Sequence, residues 1–158
     1  MAARGSQVVM NPNPKGNFLS AVISGTPKPG TCMEIQTPFY QGGVHLWRVY
    51  QPGTDGEQRL VAVLVEDAEQ GFTLDTAFVD GKMGKVYCPV PGDELNMLFG
   101  NAAGTGDDVA AGGILTVDTS TGKVIPTTGS PEMEPFVALE ALVDPTADVH
   151  LPCMFTGK

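Results

Sequence analysis

Short runs of apolar residues, separated by turns rich in glycine and proline, recur along the chain and are most regular between Gly112 and Phe155. Each run has the length of a β-strand, and none continues with the period of a helix. This pattern predicts an all-β fold, a small antiparallel β-barrel or sandwich of the β-tulip or jelly-roll type. The runs of this closing region are Gly112–Asp118, Lys123–Pro126, Pro135–Leu142 and Asp148–Phe155.

The same pattern predicts strands in the rest of the chain. Val44–Tyr50 and Arg59–Val65 flank a segment of turn residues and predict a hairpin with a loop longer than two residues. The only helical turn is predicted at Glu66–Gly71, and the sequence shows no repeat at a fixed period. The predicted strands before the closing region are Phe18–Ser24, Thr31–Gln36, Val44–Tyr50, Arg59–Val65, Lys85–Cys88 and Glu94–Phe99.

Residues 1–17 lack the strand pattern of the following chain. Pro12 and Pro14 exclude a helix and push the residues before them into extended conformations. The apolar triplet Val8–Met10 has the composition of a strand that adds to a neighbour. We therefore predict an extended N-terminal arm, residues 1–17, that is mobile or unpaired in the isolated protein, followed by a single β domain, residues 18–158.

Composition supports one folded domain. The chain has 158 residues, enough to bury a core, and its 20 glycines and 13 prolines fit a fold with many turns. Its three cysteines, Cys32, Cys88 and Cys153, are far apart, which predicts reduced thiols, buried as small apolar side chains, and no disulfide framework. No apolar segment has the length of a membrane span or the pattern of a signal peptide, so we expect neither membrane insertion nor secretion.

Charge is distributed unevenly along the chain. Residues 1–33 contain three basic side chains and no carboxylate, whereas the rest holds all 18 acids against six bases and has a charge of −12. Such an acidic body is not expected to bind nucleic acid, because phosphate contacts need clustered lysine and arginine. The basic first segment predicts an arm that docks on an acidic partner surface.

The loop Gly100–Asp108 has the glycine content of a phosphate-binding loop, but it lacks the Gly-Lys-Ser/Thr that would bind phosphate. The chain also has no Gly-x-Ser-x-Gly motif, and the aromatic residues Trp47 and Tyr50 are predicted in a core or at its rim. We therefore predict no catalytic residue, no cofactor site and no enzymatic activity.

Metal binding is also not predicted. His150 and Cys153 are three residues apart, and on a strand such positions point to opposite faces, so they do not converge with Cys88 or His45 on one metal. The acidic pairs lie in glycine- or proline-rich loops, where solvated charge is the usual outcome. These pairs are Asp107 with Asp108 and Glu132 with Glu134.

The second half of the chain, from Cys88 to Lys158, resembles the head-decoration (cement) proteins of tailed bacteriophages. The similarity lies in the order and composition of its strands and turns. The segments that carry it are Pro89–Leu98, Asp107–Asp118, Thr121–Pro126, Phe136–Ala141 and Val149–Phe155. The region Val44–Met83 matches no pattern of that family.

The resemblance implies a non-enzymatic protein of the virion that is made in the host cytoplasm and binds the outer surface of the assembled capsid. Its expected partners are the major capsid protein, whose neighbouring subunits it clamps against internal DNA pressure, and other copies of itself, as a homotrimer or alternatively a homodimer. Neither nucleic acid nor membrane is an expected partner. The predicted capsid-binding residues are Arg4, Val8, Val9, Met10, Asn11, Pro12, Asn13, Pro14 and Lys15.

Two other functions fit a small all-β chain. One is a trimeric nucleotide hydrolase of the dUTPase type, although the chain ends Cys153–Lys158 without the glycine-rich, arginine-containing motif that would hold phosphate. The other is a carbohydrate- or receptor-binding module that uses Tyr40, Trp47 and Tyr50.

Overall fold

The computed structural model is all-β, as the hydrophobic pattern predicts. It describes residues 7–11, 13–41, 44–49, 62–100, 108–118, 120–127, 135–143, 145 and 147–157. Within these residues the only helical element is a short 3₁₀ turn at Ala68–Gln70, inside the predicted helical turn. The strands form two closed five-stranded barrels, one after the other along the chain.

The first barrel contains the strands up to Cys88. In space they follow the order β1–β3–β2–β4–β5, and β5 closes the barrel by pairing with β1. The contact between β1 and β3 is parallel and the others are antiparallel. The strands are β1 (Asn17–Ile23), β2 (Cys32–Gln41), β3 (Val44–Val49), β4 (Ala62–Leu64) and β5 (Met83–Cys88).

The second barrel has the same topology. Its order is β6–β8–β7–β9–β10, with β10 pairing with β6, and its contact between first and third strands is again the parallel one. These strands lie in the predicted closing region and the run before it. They are β6 (Glu94–Phe99), β7 (Ile114–Val117), β8 (Val124–Pro126), β9 (Phe136–Ala138) and β10 (Val149–Phe155).

The residue pairing also repeats, so the two barrels are equivalent position by position. For example, Leu19 pairs with Val86 as Leu95 pairs with Cys153. All five strand contacts give the same set of equivalences, so the fold repeats although the sequence shows no repeat at a fixed period. The equivalent interior positions are Ala21 and Met97, Ile23 and Phe99, Met33 and Leu115, Ile35 and Val117, Trp47 and Val124, Ala62 and Phe136, Leu64 and Ala138, and Val86 and Cys153.

Each barrel has an apolar interior, and the second interior extends into the first barrel. The first is filled around Trp47 by side chains such as Ile23, Met33 and Phe78. The second interior is continuous with residues on the outer face of the first barrel, namely Cys32, Val63, Val65 and Tyr87. Because one cluster crosses the boundary, we expect the two barrels to unfold together.

The predicted hairpin between β3 and β4 is wrong. β2 lies between these strands, pairing with β3 from Met33 to Gln41 and with β4 at Cys32 and Met33. The prediction failed because β2 continues past Gln36, through a register shift between Ile35 and Tyr40. The sequence pattern therefore did not reveal that β2 is the antiparallel partner of β3.

Candidate functional site

The described part of the N-terminal arm pairs with the second barrel through an isolated β-bridge. Val9 pairs antiparallel with Leu95, the Met10 amide donates to the Glu94 carbonyl at 3.0 Å, and the Asn96 amide donates to the Val8 carbonyl at 2.7 Å. Asn11 Oδ1 accepts from the Glu94 amide at 2.6 Å. These bonds lie along β6 before the point where β8 joins it, at Phe99 and Val124.

Val8 makes the arm part of the core. Its side chain is fully buried among the residues of the second interior, close to Leu95. The Glu66 carboxylate accepts from the Val8 amide at 2.9 Å and joins the arm to the first barrel as well. The prediction that residues 1–17 are unpaired is therefore wrong for residues 8–11, because burial of Val8 and the bonds to β6 offset the loss of chain entropy.

A buried network holds the end of the arm where it enters β1. The Tyr87 hydroxyl donates to Asp93 Oδ2 at 2.6 Å and accepts from the Gly16 amide at 2.7 Å. Asp93 also accepts from the Val90 and Lys15 amides, at 3.0 and 3.4 Å. This network ties the arm to the last strand of the first barrel and to the linker between the barrels.

The network sets the ionisation of both side chains. Burial by itself raises the pKa of Asp93, but the hydrogen bonds from Tyr87 and from backbone amides outweigh it, and the pKa lies below its ordinary 3.8. Burial, followed by the hydrogen bond to Asp93, raises the pKa of Tyr87 to about 12. Asp93 is therefore a buried carboxylate at neutral pH and Tyr87 is its protonated donor.

An open groove of about 500 Å³ separates the arm from the first barrel. One wall is arm, with Val9 half-buried and Pro14 exposed, and the other carries Phe18, which is 50% exposed and contacts the Tyr87 ring at a centroid distance of 4.8 Å. The arm groove is lined by Gln7, Val9, Asn11, Pro14, Phe18, Val65, Glu66 and Lys85. It offers a partner apolar surface together with an exposed lysine.

The predicted capsid-binding residues separate into three groups. Arg4 and Pro12 lie outside the described residues. Val8 is in the core, and the half-buried Val9, Met10 and Asn11 lie on β6, with Val9 and Asn11 also lining the arm groove. Asn13, Pro14 and Lys15 are exposed and remain available to a partner.

Sequence reasoning missed the residues that fix this site. Phe18 was assigned only to a strand, although Asn17 before it and Ser20 on the same face are polar, and all three are exposed. Asp93 follows Pro91-Gly92 and has the appearance of an ordinary turn residue. A buried tyrosine six residues before a carboxylate is the one local signal for the network.

A second cleft, of about 350 Å³, lies where the barrels meet. Thr31, Val49 and Lys28 come from the first barrel, and the ion pair between Lys123 and Asp148 comes from the second. The Asp148 carboxylate neutralises Lys123, which leaves Lys28 as the other basic side chain among the described residues that line the cleft.

The cysteines and histidines have structural surroundings. Cys32 and Cys153 are buried and unbonded to each other, as predicted, and burial raises the pKa of both thiols. His150 lies 2.9 Å, through Nε2, from the Pro29 carbonyl at the barrel junction. Within the described ranges no three His, Cys, Asp or Glu side chains are placed to hold a metal ion.

The acidic pairs and the phosphate-loop candidate lie mostly outside the described residues. The structure describes only the two ends of the candidate loop, Gly100, which is buried, and Asp108, which is exposed. Trp47 is 1% exposed and belongs to the first interior. No helix among the described residues combines the length and hydrophobicity needed to span a bilayer.

No protein-family model matches the chain, and a search of curated proteins finds no match.

Proposed function

We propose that this is a structural decoration protein of a tailed-bacteriophage head, which binds the outer surface of the assembled capsid and clamps neighbouring major capsid protein subunits. The observation that carries the proposal is the arm groove, where exposed arm residues meet Phe18 and Lys85 on the first barrel. The resemblance of Cys88–Lys158 to decoration proteins supports the same conclusion. In this proposal the function is binding, and no catalysis is involved.

The arm groove has the features of a docking surface for a large acidic partner. Its apolar members, Val9, Pro14 and Phe18, give a contact that buries hydrophobic surface. Lys15 and Lys85 are exposed beside it, although the whole chain has a net charge of −9. Because residues 8–11 of the arm are already held on β6, they need no further ordering on the shell, which lowers the entropic cost of each contact.

Co-sedimentation with purified capsids tests the proposal. The wild-type protein should pellet with capsids, and the charge reversals Lys15→Glu and Lys85→Glu should weaken its binding several-fold, most strongly at low salt. Lys82→Glu is the matched control, because Lys82 is exposed but does not line the groove. Wild-type protein that stays in the supernatant with capsids of its phage would contradict the proposal.

The alternative functions have less support. Trp47, one of the three aromatic residues of the carbohydrate-binding alternative, is buried in the first interior, and the side chains of Tyr40 and Tyr50 lie outside the described residues. No described feature favours a nucleotide hydrolase over a binding protein. Nucleotide hydrolysis by the purified protein, or binding to a glycan array, would favour the respective alternative over capsid decoration.

A further inference from the structure

The second barrel shows how one edge of this fold takes up an extended segment. The arm lies antiparallel to β6 and bonds to the Glu94 carbonyl and the Asn96 amide, at 3.0 and 2.7 Å. Leu95, between these two residues, is fully buried. We call Glu94–Asn96 the β6 edge. The arm thereby pairs backbone groups that would otherwise lie on an open edge of the barrel.

The equivalent segment of the first barrel is Phe18–Ser20, which we call the β1 edge. The equivalence follows from the strand pairing, since Leu19 pairs with Val86 as Leu95 pairs with Cys153. All three residues of the β1 edge are exposed. Among the described residues, no strand other than β5 pairs with them. The edge that the arm occupies in the second barrel is therefore open in the described part of the first.

The backbone of the β1 edge points toward the open side. Within the described ranges, β1 pairs with β3 only at Val22 and Ile23. The Ile23 amide donates to the Lys82 carbonyl, just before β5, at 2.9 Å. Because amides of alternate residues point to the same side of a strand, those of Phe18 and Ser20 point away from β5. These are the equivalents of the groups that the arm bonds on β6.

The side chains at the two edges differ in the same way as the backbone. Leu95 is fully buried and lies opposite Val9 of the arm. Its equivalent Leu19 is 39% exposed. A segment that pairs with the β1 edge covers Leu19 and removes apolar surface from water, provided that it has an apolar residue at the position of Val9.

The charges near the β1 edge favour an acidic segment. Neither β1 nor β5 contains a carboxylate, and Lys85 on β5 is exposed and pairs with Ser20. Lys15, which precedes β1, is also exposed. A segment with carboxylates beside its apolar residue complements these lysines. The arm of a second copy does not, because residues 1–33 contain no carboxylate.

The β1 edge adjoins the arm groove. Phe18 and Lys85 line the groove with their side chains, whereas the backbone of Phe18 belongs to the edge. The proposed function assigns this groove to the capsid partner. A partner segment that pairs with the β1 edge therefore lies next to the surface through which that partner binds.

We propose that an extended, acidic segment of the capsid partner adds to the first barrel as a β-strand, antiparallel to Phe18–Ser20. Its backbone donates to the Phe18 carbonyl and accepts from the Ser20 amide, in the same way as the arm bonds to β6. An apolar residue of the segment covers Leu19, and its carboxylates lie near Lys85. This inference rests on the proposed function, to which it adds the chemistry of the partner segment and the way in which it is held.

The experiment changes the backbone of the β1 edge. Ser20→Pro removes the amide that the added strand would bond and places the proline ring in its path, while the bonds between β1 and β5 remain. Ser20→Ala is the matched control, because it changes the same side chain and keeps the amide. Leu19→Asn removes the apolar contact and takes the place of Ser20→Pro if that variant does not fold. Far-UV circular dichroism and thermal melting establish which variants are folded.

Hydrogen exchange of the free protein, followed by NMR, gives the first result. The Ser20 amide should exchange as fast as an unprotected amide. The Asn96 amide, its equivalent on β6, should be protected because it bonds to the Val8 carbonyl. A protected Ser20 amide in the free protein would show that the β1 edge is already occupied and would overturn the proposal.

Co-sedimentation with purified capsids gives the second result. The wild type and Ser20→Ala should bind equally, and Ser20→Pro should bind about tenfold more weakly or worse, since it loses a hydrogen bond and gains a clash. If the wild type pellets with capsids and the folded edge variant binds as well as Ser20→Ala, strand addition is wrong and the proposed function stands. A wild type that stays in the supernatant contradicts the proposed function itself, and strand addition falls with it.

Discussion

The two barrels have the same strand order and the same residue pairing, but they fill their interiors with different side chains. In the first, Trp47 on β3 and Ala62 on β4 belong to the same interior, with β2 between their strands. In the second, the equivalent residues are Val124 and Phe136, so the large side chain lies two strands away from its position in the first. A barrel interior therefore constrains total volume more tightly than the identity of each residue.

The barrels also differ at their ends and on their outer faces. Val8 of the arm closes the second barrel over Leu95, whereas the equivalent Leu19 of the first barrel is exposed. On the outer face, Glu34 and Arg48 form an ion pair at 2.8 Å in the first barrel, where the second has Thr116 opposite Ile125. The two barrels therefore share a fold but differ in what covers their ends and in the polar pairs on their outer faces.

The largest loss of stability is expected when the large interior side chain of either barrel is truncated. Trp47→Ala and Phe136→Ala should each lower the free energy of unfolding by about 3–5 kcal/mol. The double variant Trp47→Val/Ala62→Phe, which installs the second barrel's residues in the first, should be more stable than Trp47→Val alone. Urea unfolding followed by far-UV circular dichroism measures the free energy of unfolding of each variant. A double variant that is less stable than Trp47→Val would show that the residues of the two interiors are not interchangeable.

The same titrations test whether the barrels unfold together. Because one apolar cluster contains residues of both, every variant should show a single transition with an unchanged m-value. Two separate transitions, with only one moved by Trp47→Ala, would mean that the barrels are independent.

A second effect is expected at the outer-face ion pair. Arg48→Ile should cost about 1.5–3 kcal/mol, because it removes a charged hydrogen bond to Glu34, whose side chain is 1% exposed. Adding Glu34→Thr completes the Thr–Ile pair of the second barrel and should recover part of the loss. The control is Lys123→Ala in the partly exposed pair with Asp148, which should cost less than about 1 kcal/mol. Equal losses from Arg48→Ile and Lys123→Ala would contradict this ranking.

A third effect concerns Tyr87, for which the second barrel has Met154. Tyr87→Phe should cost about 1–3 kcal/mol at neutral pH, because Asp93 loses a donor and the Gly16 amide loses an acceptor. The pKa of Asp93 is lowered, so its stabilisation is complete above its ordinary pKa of 3.8 and is lost as the pH falls below that value. Tyr87→Phe should move this loss to higher pH.

The pKa of Tyr87 is raised from 10.0 to about 12, so its stabilising contribution is present below pH 10 and is lost as the pH rises toward 12. The free energy of unfolding, measured from acid to alkaline pH for the wild type and Tyr87→Phe, checks both the acid loss and the alkaline loss of stability. If stability depends on pH in the same way in both proteins, the network controls neither loss.

The smallest of these effects is expected at the arm. Val8→Ala should cost about 1.6 kcal/mol, since it removes two fully buried methyl groups at about 0.8 kcal/mol each. Hydrogen exchange should quicken at the Asn96 amide, which bonds to the Val8 carbonyl. Gln7→Ala is the control, because Gln7 is exposed and this substitution should change the free energy of unfolding by no more than about 0.5 kcal/mol. Unchanged exchange at Asn96 in Val8→Ala would show that the arm contributes nothing to closing the second barrel.

Hydrophobic alternation was sufficient to predict the strands with clear boundaries. Residues Leu95, Met97 and Phe99 all point into the second interior, and the strands of the closing region lie where the apolar runs occur. Alternation depends only on neighbouring residues, which is why it succeeded for β6 and failed for β2, where Pro38 and a register shift interrupt it.

The repeat and the candidate site depend on contacts between distant residues and could not be predicted in this way. The exchange of volume between Trp47 and Phe136 removes the sequence similarity by which a repeat is recognised. The arm bonds to β6 across 83 residues of sequence, from Asn11 to Glu94, and nothing in its own composition specifies that partner. Only its extended character was predictable, from Pro12 and Pro14.

The same long separation fixes the order in which the molecule is completed during synthesis. The last strand of the first barrel ends at Cys88, so the strands of this barrel can pair before the second barrel has left the ribosome. Until Glu94–Asn96 emerge, Val8 has no core to enter, and Cys32, Val63 and Tyr87 present an uncovered apolar surface to the cell. The nascent first barrel is therefore the stage at which this chain is most exposed to aggregation; β6 captures the N-terminus when it emerges, and completion of the second barrel covers that surface.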